Sequence, residues 1–184
     1  LRNIFRRDPN WRTDVSFAPD QEVLPDEATL KSYDLIVLGE IPHEVVSDQH
    51  LGWLEDHVRS GGGLILIDGP REELRQLLGG DSPLSPVTWF DAPQWLDQPH
   101  LALTTEGSLE PALTLAANKA DNEAIWSYLP APHRAIRVRP KVGATILAEA
   151  RSETGNTPLL ITQMLGSGRV LYISSDESWR WRYQ

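Results

Sequence analysis

Two short apolar runs and the segment between them constrain this chain more than any other feature. Leu35-Ile36-Val37-Leu38 is entered from Tyr33-Asp34 and closed by Gly39, and Leu64-Ile65-Leu66-Ile67 is entered from Gly61-Gly62-Gly63 and closed by Asp68-Gly69-Pro70. Unbroken apolar runs of this length, bounded by turn residues, fit strands covered on both faces, as in a parallel sheet. Between them Ser47 stands at an N-cap position, Leu51, Leu54 and Val58 share one helical face, and the glycine triplet supplies a left-handed stop. Strand, helix and strand in that order read as a β-α-β unit, for which a right-handed crossover is the rule.

The alternation extends in both directions. Residues 14–17 read as an earlier strand after a helix tail at residues 1–8, and Pro25-Asp26-Glu27 opens a short helix towards Tyr33. Pro70 at a first helical position opens a helix over residues 71–78 that stops at Gly79-Gly80. Residues 81–111 mix prolines with Trp89 and Trp95, which fits a long packed excursion holding one strand at residues 101–104. Residues 121–129 read as a helix with Ile125, Trp126 and Leu129 on one side and Pro130 as its stop. Strand candidates at residues 144–150, 158–165 and 169–174 follow, joined by the hairpin signals Glu153-Thr154-Gly155-Asn156 and Gly166-Ser167-Gly168. The expected fold class is α/β: a three-layer, flavodoxin-like, mostly parallel sheet with helices on both faces and a C-terminal antiparallel meander, forming a single domain over residues 1–184.

Composition narrows the function. The chain has no cysteine, so thiol nucleophiles and cysteine-based zinc sites are excluded. A net charge of −9, with arginine and lysine scattered along the chain, is the wrong sign for neutralising phosphates and argues against nucleic acid. The partners this allows are another protein, including a second copy of the chain, or a small polar ligand; neither a cofactor nor a metal is expected. Apolar runs are too short to span a bilayer. The sequence opens at Leu1 and its 1 methionine is Met164, which reads as a piece of a longer protein.

Three stretches together carry a family resemblance. They are Tyr33-Asp34-Leu35-Ile36-Val37-Leu38-Gly39-Glu40-Ile41-Pro42, the helix running into Gly61-Gly62-Gly63 and Leu64–Ile67, and the close Gly168-Arg169-Val170-Leu171-Tyr172-Ile173-Ser174-Ser175-Asp176-Glu177-Ser178-Trp179-Arg180-Trp181-Arg182. They resemble class I glutamine amidotransferase-like domains, in the branch found inside large bacterial membrane proteins that also carry von Willebrand factor A or aerotolerance-type modules. The resemblance implies a parent protein attached to a bacterial membrane. It also implies a further strand ahead of the first helix, without which a central slot of the sheet stays unfilled unless another segment or another chain covers it.

Such amidotransferases use a cysteine at a tight strand-to-helix turn, a histidine oriented by a carboxylate, and backbone N–H groups that bind the oxyanion. The matching turn here is Asp68-Gly69-Pro70, with a carboxylate in place of the thiol and a proline that offers no N–H. Gly39-Glu40-Ile41-Pro42 stands where the oxyanion loop belongs, without paired glycines. Where the family's histidine and glutamate sit, the chain reads Ser174-Ser175-Asp176-Glu177. The resemblance therefore implies a non-catalytic binding or assembly module, with Glu40, Asp68, Asp176, Glu177, Trp179, Arg180 and Trp181 as candidate binding residues.

The alternative is a divergent hydrolase independent of cysteine. His43 as base with Asp68 and Asp176, and Ser174 or Ser175 as nucleophile, would meet at the carboxyl ends of neighbouring strands. The plainer expectations are that Asp68 caps a helix, that Asp176 or Glu177 pairs with an arginine of the closing stretch, and that Asp68 joins that network. His50 and His57, seven apart on the helix, are expected at the surface. The alternating Trp179, Arg180, Trp181, Arg182 and Tyr183 would, as a strand, put aromatic rings on one face and guanidinium groups on the other. They read either as a sticky tail or as the closure of the core.

Overall fold

The computed structural model describes residues 9–16, 24–79 and 81–183, the side chains of Trp179, Arg182 and Tyr183 excepted. The central β-α-β unit forms as its sequence dictates. Strand β1 (Leu35–Gly39) lies parallel to β2 (Gly63–Ile67), Leu35 facing Gly63 and Gly39 facing Ile67. The helix between them, Asp48–Arg59, is preceded by the short helix α1 (Glu27–Leu30) and is therefore α2. Ser47 caps α2: its hydroxyl accepts from His50 N–H, and the His50 ring accepts in return from Ser47 N–H. Leu54 and Val58 of α2 are fully buried, each worth about 1.5–3 kcal/mol of removal from water.

His57 departs from the expectation of a surface histidine. It is buried, its Nε2 lacks a partner among the described residues, and its ring lies so close to Gly62 that a Cβ there would stand 2.1 Å from Nε2. The glycine triplet thus does two jobs: it ends the helix, with Gly61 at φ 116°, and it makes room for the imidazole.

Helix α3 (Glu73–Leu78) starts later than the sequence suggests. Pro70 lies outside it, because Glu72 takes a left-handed conformation (φ 59°) and sets the start at Glu73. The stretch after it supplies three short strands where one was expected: β3 (Val87–Trp89), β4 (Trp95–Asp97) and β5 (His100–Leu103). Two helices follow, α4 (Thr105–Leu109) and α5 (Lys119–Tyr128). Strands β6 (Arg134–Ile136) and β7 (Val138–Pro140) pair antiparallel with β4 and β3 as small two-stranded ribbons.

Strands β8 (Thr145–Ser152), β9 (Gly155–Leu165) and β10 (Gly168–Ile173) are joined by tight turns and pair antiparallel in succession. The main sheet has the order β1-β2-β10-β9-β8-β5. Parallel pairing is confined to β1, β2 and β10, so the sheet is mixed rather than mostly parallel. The chain is an α/β protein. Side chains of β10 alternate between two cores: Val170 and Tyr172 join the cluster of α2, α3 and β2, whereas Leu171 and Ile173 pack against the cluster containing Trp126 of α5.

Two expectations at the ends need correction. Residues 14–16 form no strand; Phe17 and the helix tail at residues 1–8 lie outside the described residues. The closing stretch Glu177–Tyr183 is a 3-10 helix, so the two-faced strand does not form. None of the helices among the described residues is long and apolar enough to cross a membrane.

Candidate functional site

The carboxyl ends of β1, β2 and β10 come together because these strands are parallel neighbours, and the candidate residues Glu40, Asp68 and Ser174–Glu177 follow directly from them. Asp68 lies at the centre. Its N–H donates to Ile173 O of β10 at 2.9 Å, fixing the turn, and its side chain is fully buried. Oδ1 accepts from Gly69 N–H at 3.0 Å, and Oδ2 accepts from Trp89 Nε1–H at 2.8 Å and from the Tyr172 hydroxyl. The Trp89 and Tyr172 rings meet edge to face, with centroids 6.0 Å apart.

Asp68 is therefore neither a helix cap nor a member of the arginine network. Burial pushes its carboxyl above the usual range, and the bonds from Tyr172, Trp89 and Gly69 offset only part of that. Tyr172 is pushed well above the ordinary tyrosine value by burial and by the neighbouring carboxylate. The free space beside this group is about 10 Å³, barely a water molecule.

Glu40 follows β1 in a left-handed conformation (φ 45°). Its Oε2 accepts from Arg71 N–H at 3.0 Å, whereas Oε1 is buried with no partner among the described residues. Gly69 gives the Glu40 carboxyl its present place, since a Cβ would stand 2.7 Å from the carboxyl carbon and push the side chain aside. Burial raises the Glu40 carboxyl, and the negative charges of Asp68 and Asp176 add to the effect.

The structure does not bring His43 to Asp68 as a catalytic pair. His43 opens a 3-10 turn (His43–Val45) and binds Glu73 at the start of α3 twice, through Nδ1 and through its backbone N–H, both 3.0 Å from Oε2. The Glu44 carboxylate lies 3.6 Å from the same ring nitrogen. The His43 hydrogen bonds hold the Glu73 carboxyl below its usual range. One donor atom each from His43, Glu44 and Glu73 lies within 4.8 Å of the others, the arrangement among the described residues that can hold a divalent cation. Sequence spacing gave no sign of it, because Glu73 arrives from a different helix.

The remaining candidates are placed as follows. Ser174 Oγ is buried without a partner among the described residues, and the Ser175 hydroxyl accepts from Glu177 N–H at 3.3 Å. Asp176 is exposed. Glu177 accepts from Arg180 at 3.3 Å and from His133 N–H at 3.0 Å, so the expected arginine mate is Arg180. Trp181 donates to Pro130 O at 3.0 Å and meets Trp126 edge to face at 5.8 Å, which closes the second core. The side chain of Trp179 lies outside the described residues.

A much larger space follows the edge of β1 that has no partner among the described residues. A cavity of about 320 Å³ is lined by residues 35–41 together with Asp14, Ser16, Leu24, Pro25, Leu30, Tyr33 and Arg71. Consecutive strand residues point to opposite faces, so a cavity touching seven in a row runs along the edge rather than over a face. Tyr33 donates to Asp14 at 3.1 Å and ties the neighbouring segment to this end of the strand.

No family model and no curated protein sequence matches the chain. Solved structures do. Cytoplasmic Protein STM1381 from Salmonella typhimurium LT2 superposes with a TM-score of 0.67 at 22% identity, over 99% of this chain and 77% of that one. Cytoplasmic Protein STM3548 from Salmonella typhimurium gives 0.64 at 18% identity, over 89% and 69%. A putative ThuA-like protein from Bacteroides uniformis gives 0.48 at 15% identity, over 85% and 65%. At these identities the two Salmonella structures establish a shared fold.

Proposed function

We propose that this chain is a non-catalytic, amidotransferase-like binding or assembly module of a larger, membrane-anchored bacterial protein, built as a three-layer flavodoxin-like domain with a C-terminal antiparallel meander. The observation that carries the reading is the state of Asp68, which stands where the family nucleophile belongs. A working group there must reach substrate, yet Asp68 is sealed under Trp89 and Tyr172 with its oxygens engaged. His43 is tied through Nδ1 to Glu73, and no hydrogen bond joins it to Asp68 among the described residues.

The test is ammonia release from a panel of amides including glutamine, with Asp68→Asn and His43→Ala alongside. No turnover above buffer is expected. Turnover that disappears in either variant would establish a hydrolase and overturn the proposal.

A further inference from the structure

The chain carries 26 acidic and 17 basic side chains, and most of its arginines are committed: Arg59, Arg75, Arg151, Arg169 and Arg180 each pair with a carboxylate. Arg134, Arg137 and Arg139, within one short stretch of β6 and β7, pair with none among the described residues. Asp97 stands opposite Arg134 in the register, whereas Arg139 stands opposite Thr88, which leaves Arg137 and Arg139 as the uncommitted pair. They share a face. Ile136 and Val138 are buried in the first core, so alternation sends Arg137 and Arg139 outward. On the facing strand Trp89 turns inward to Asp68, so Phe90 turns outward beside them. The Arg139 guanidinium lies over the Phe90 ring, 4.1 Å from its centroid. Arg137 donates one N–H to Thr154 O at 3.0 Å and lines the same small cavity as Phe90. Stacking occupies the face of a guanidinium and leaves its N–H edge for an acceptor.

We propose that the outer face of the β3–β7 ribbon binds an extended stretch of a partner protein that carries carboxylates at alternate positions. This rests on the binding-module reading and names the partner's chemistry. Arg137 and Arg139 stand two residues apart on one face, a spacing of roughly 7 Å, which is also the repeat of side chains along one face of an extended peptide. Each guanidinium fork then meets one carboxylate. The net charge of −9 repels such a stretch from the rest of the surface and sharpens the preference for this face. A phosphodiester chain is disfavoured, because it calls for a longer run of cations and meets the same negative charge.

The probe is the labelled peptide Ser-Thr-Glu-Val-Glu-Val-Ser, with one control in which both glutamates are glutamine and a second, Ser-Thr-Glu-Glu-Val-Val-Ser, that sets the same charges on opposite faces. Binding is read by fluorescence anisotropy at low salt. The expected result is saturable binding of the first peptide, about tenfold weaker binding of the glutamine control and about fivefold weaker binding of the second. Arg139→Gln should weaken the first peptide about tenfold, and Arg139→Lys about fivefold, because an ammonium neither lies flat on Phe90 nor forks. Arg59→Gln, on α2, removes the same charge elsewhere and should change nothing. Arg137→Gln gives the same readout as Arg139→Gln if the latter does not fold. No saturable binding of the first peptide, equal binding of the two acidic peptides, an equal loss in Arg59→Gln or tighter binding of an oligothymidylate would overturn the proposal. So would a dimer that forms without peptide and is lost in Arg139→Gln, since a second copy would then occupy the face. None of these outcomes depends on amide turnover, so a failure here is distinct from the discovery of a hydrolase.

Discussion

The carboxyl end of β2 and the outer edge of β1 are one strand apart in the same sheet and have opposite fates. At β2 the chain buries a carboxylate and gives it three donors, leaving about 10 Å³ of free space. At β1 a row of backbone groups has no ladder partner among the described residues and lies beside about 320 Å³ of free space. The first is a closed polar network, where any change leaves something unsatisfied. The second is, among the described residues, a ladder without a partner.

The comparison breaks most sharply at Asp68. Asp68→Ala leaves the Trp89 N–H and the Tyr172 hydroxyl buried without an acceptor, and a loss of about 3 kcal/mol in denaturant unfolding is expected. Tyr172→Phe removes one of the three donors and keeps the ring, so about 1–2 kcal/mol is expected from the same measurement.

The pH dependence sharpens the contrast further. Asp68 and Glu40 are both raised in the fold, so each binds its proton more tightly folded than unfolded. Their contribution to stability is complete below the ordinary carboxylate range and is lost as pH rises through the raised values. Denaturant midpoints of the wild type should therefore carry a downward slope over that interval, and Asp68→Asn should flatten it. The smallest effect is expected at His43→Ala, which frees Glu73 at a site about a third exposed; a loss of about 0.5 kcal/mol by thermal unfolding would mark it as a surface staple.

Much of the fold was legible because local and global signals agreed. The runs at β1 and β2, the Ser47 cap and the glycine stop all point to one β-α-β unit, and the turn at Gly166 sets β9 against β10. The three-residue strands β3 and β4 were not legible, because their partners β7 and β6 lie about fifty and about forty residues on and so short a strand has no periodicity. The tail misled for a related reason: alternation over five residues fits a strand, but the stretch forms a 3-10 helix in which Trp181 packs edge to face on Trp126 and donates to Pro130 O. At the site, adjacency of Glu40 and Asp68 followed from strand order, whereas the diversion of His43 to Glu73 depended on where α3 starts, and a left-handed Glu72 decides that.

Residue-resolved hydrogen exchange of the free protein tests the contrast between the two regions most directly. The expected result is slow exchange throughout β2 and β10 and at the Tyr172 amide, with alternate amides of residues 35–39 exchanging fast because they face no strand among the described residues. Uniform protection along β1, equal to that of β2, would show its edge already closed and would contradict the account.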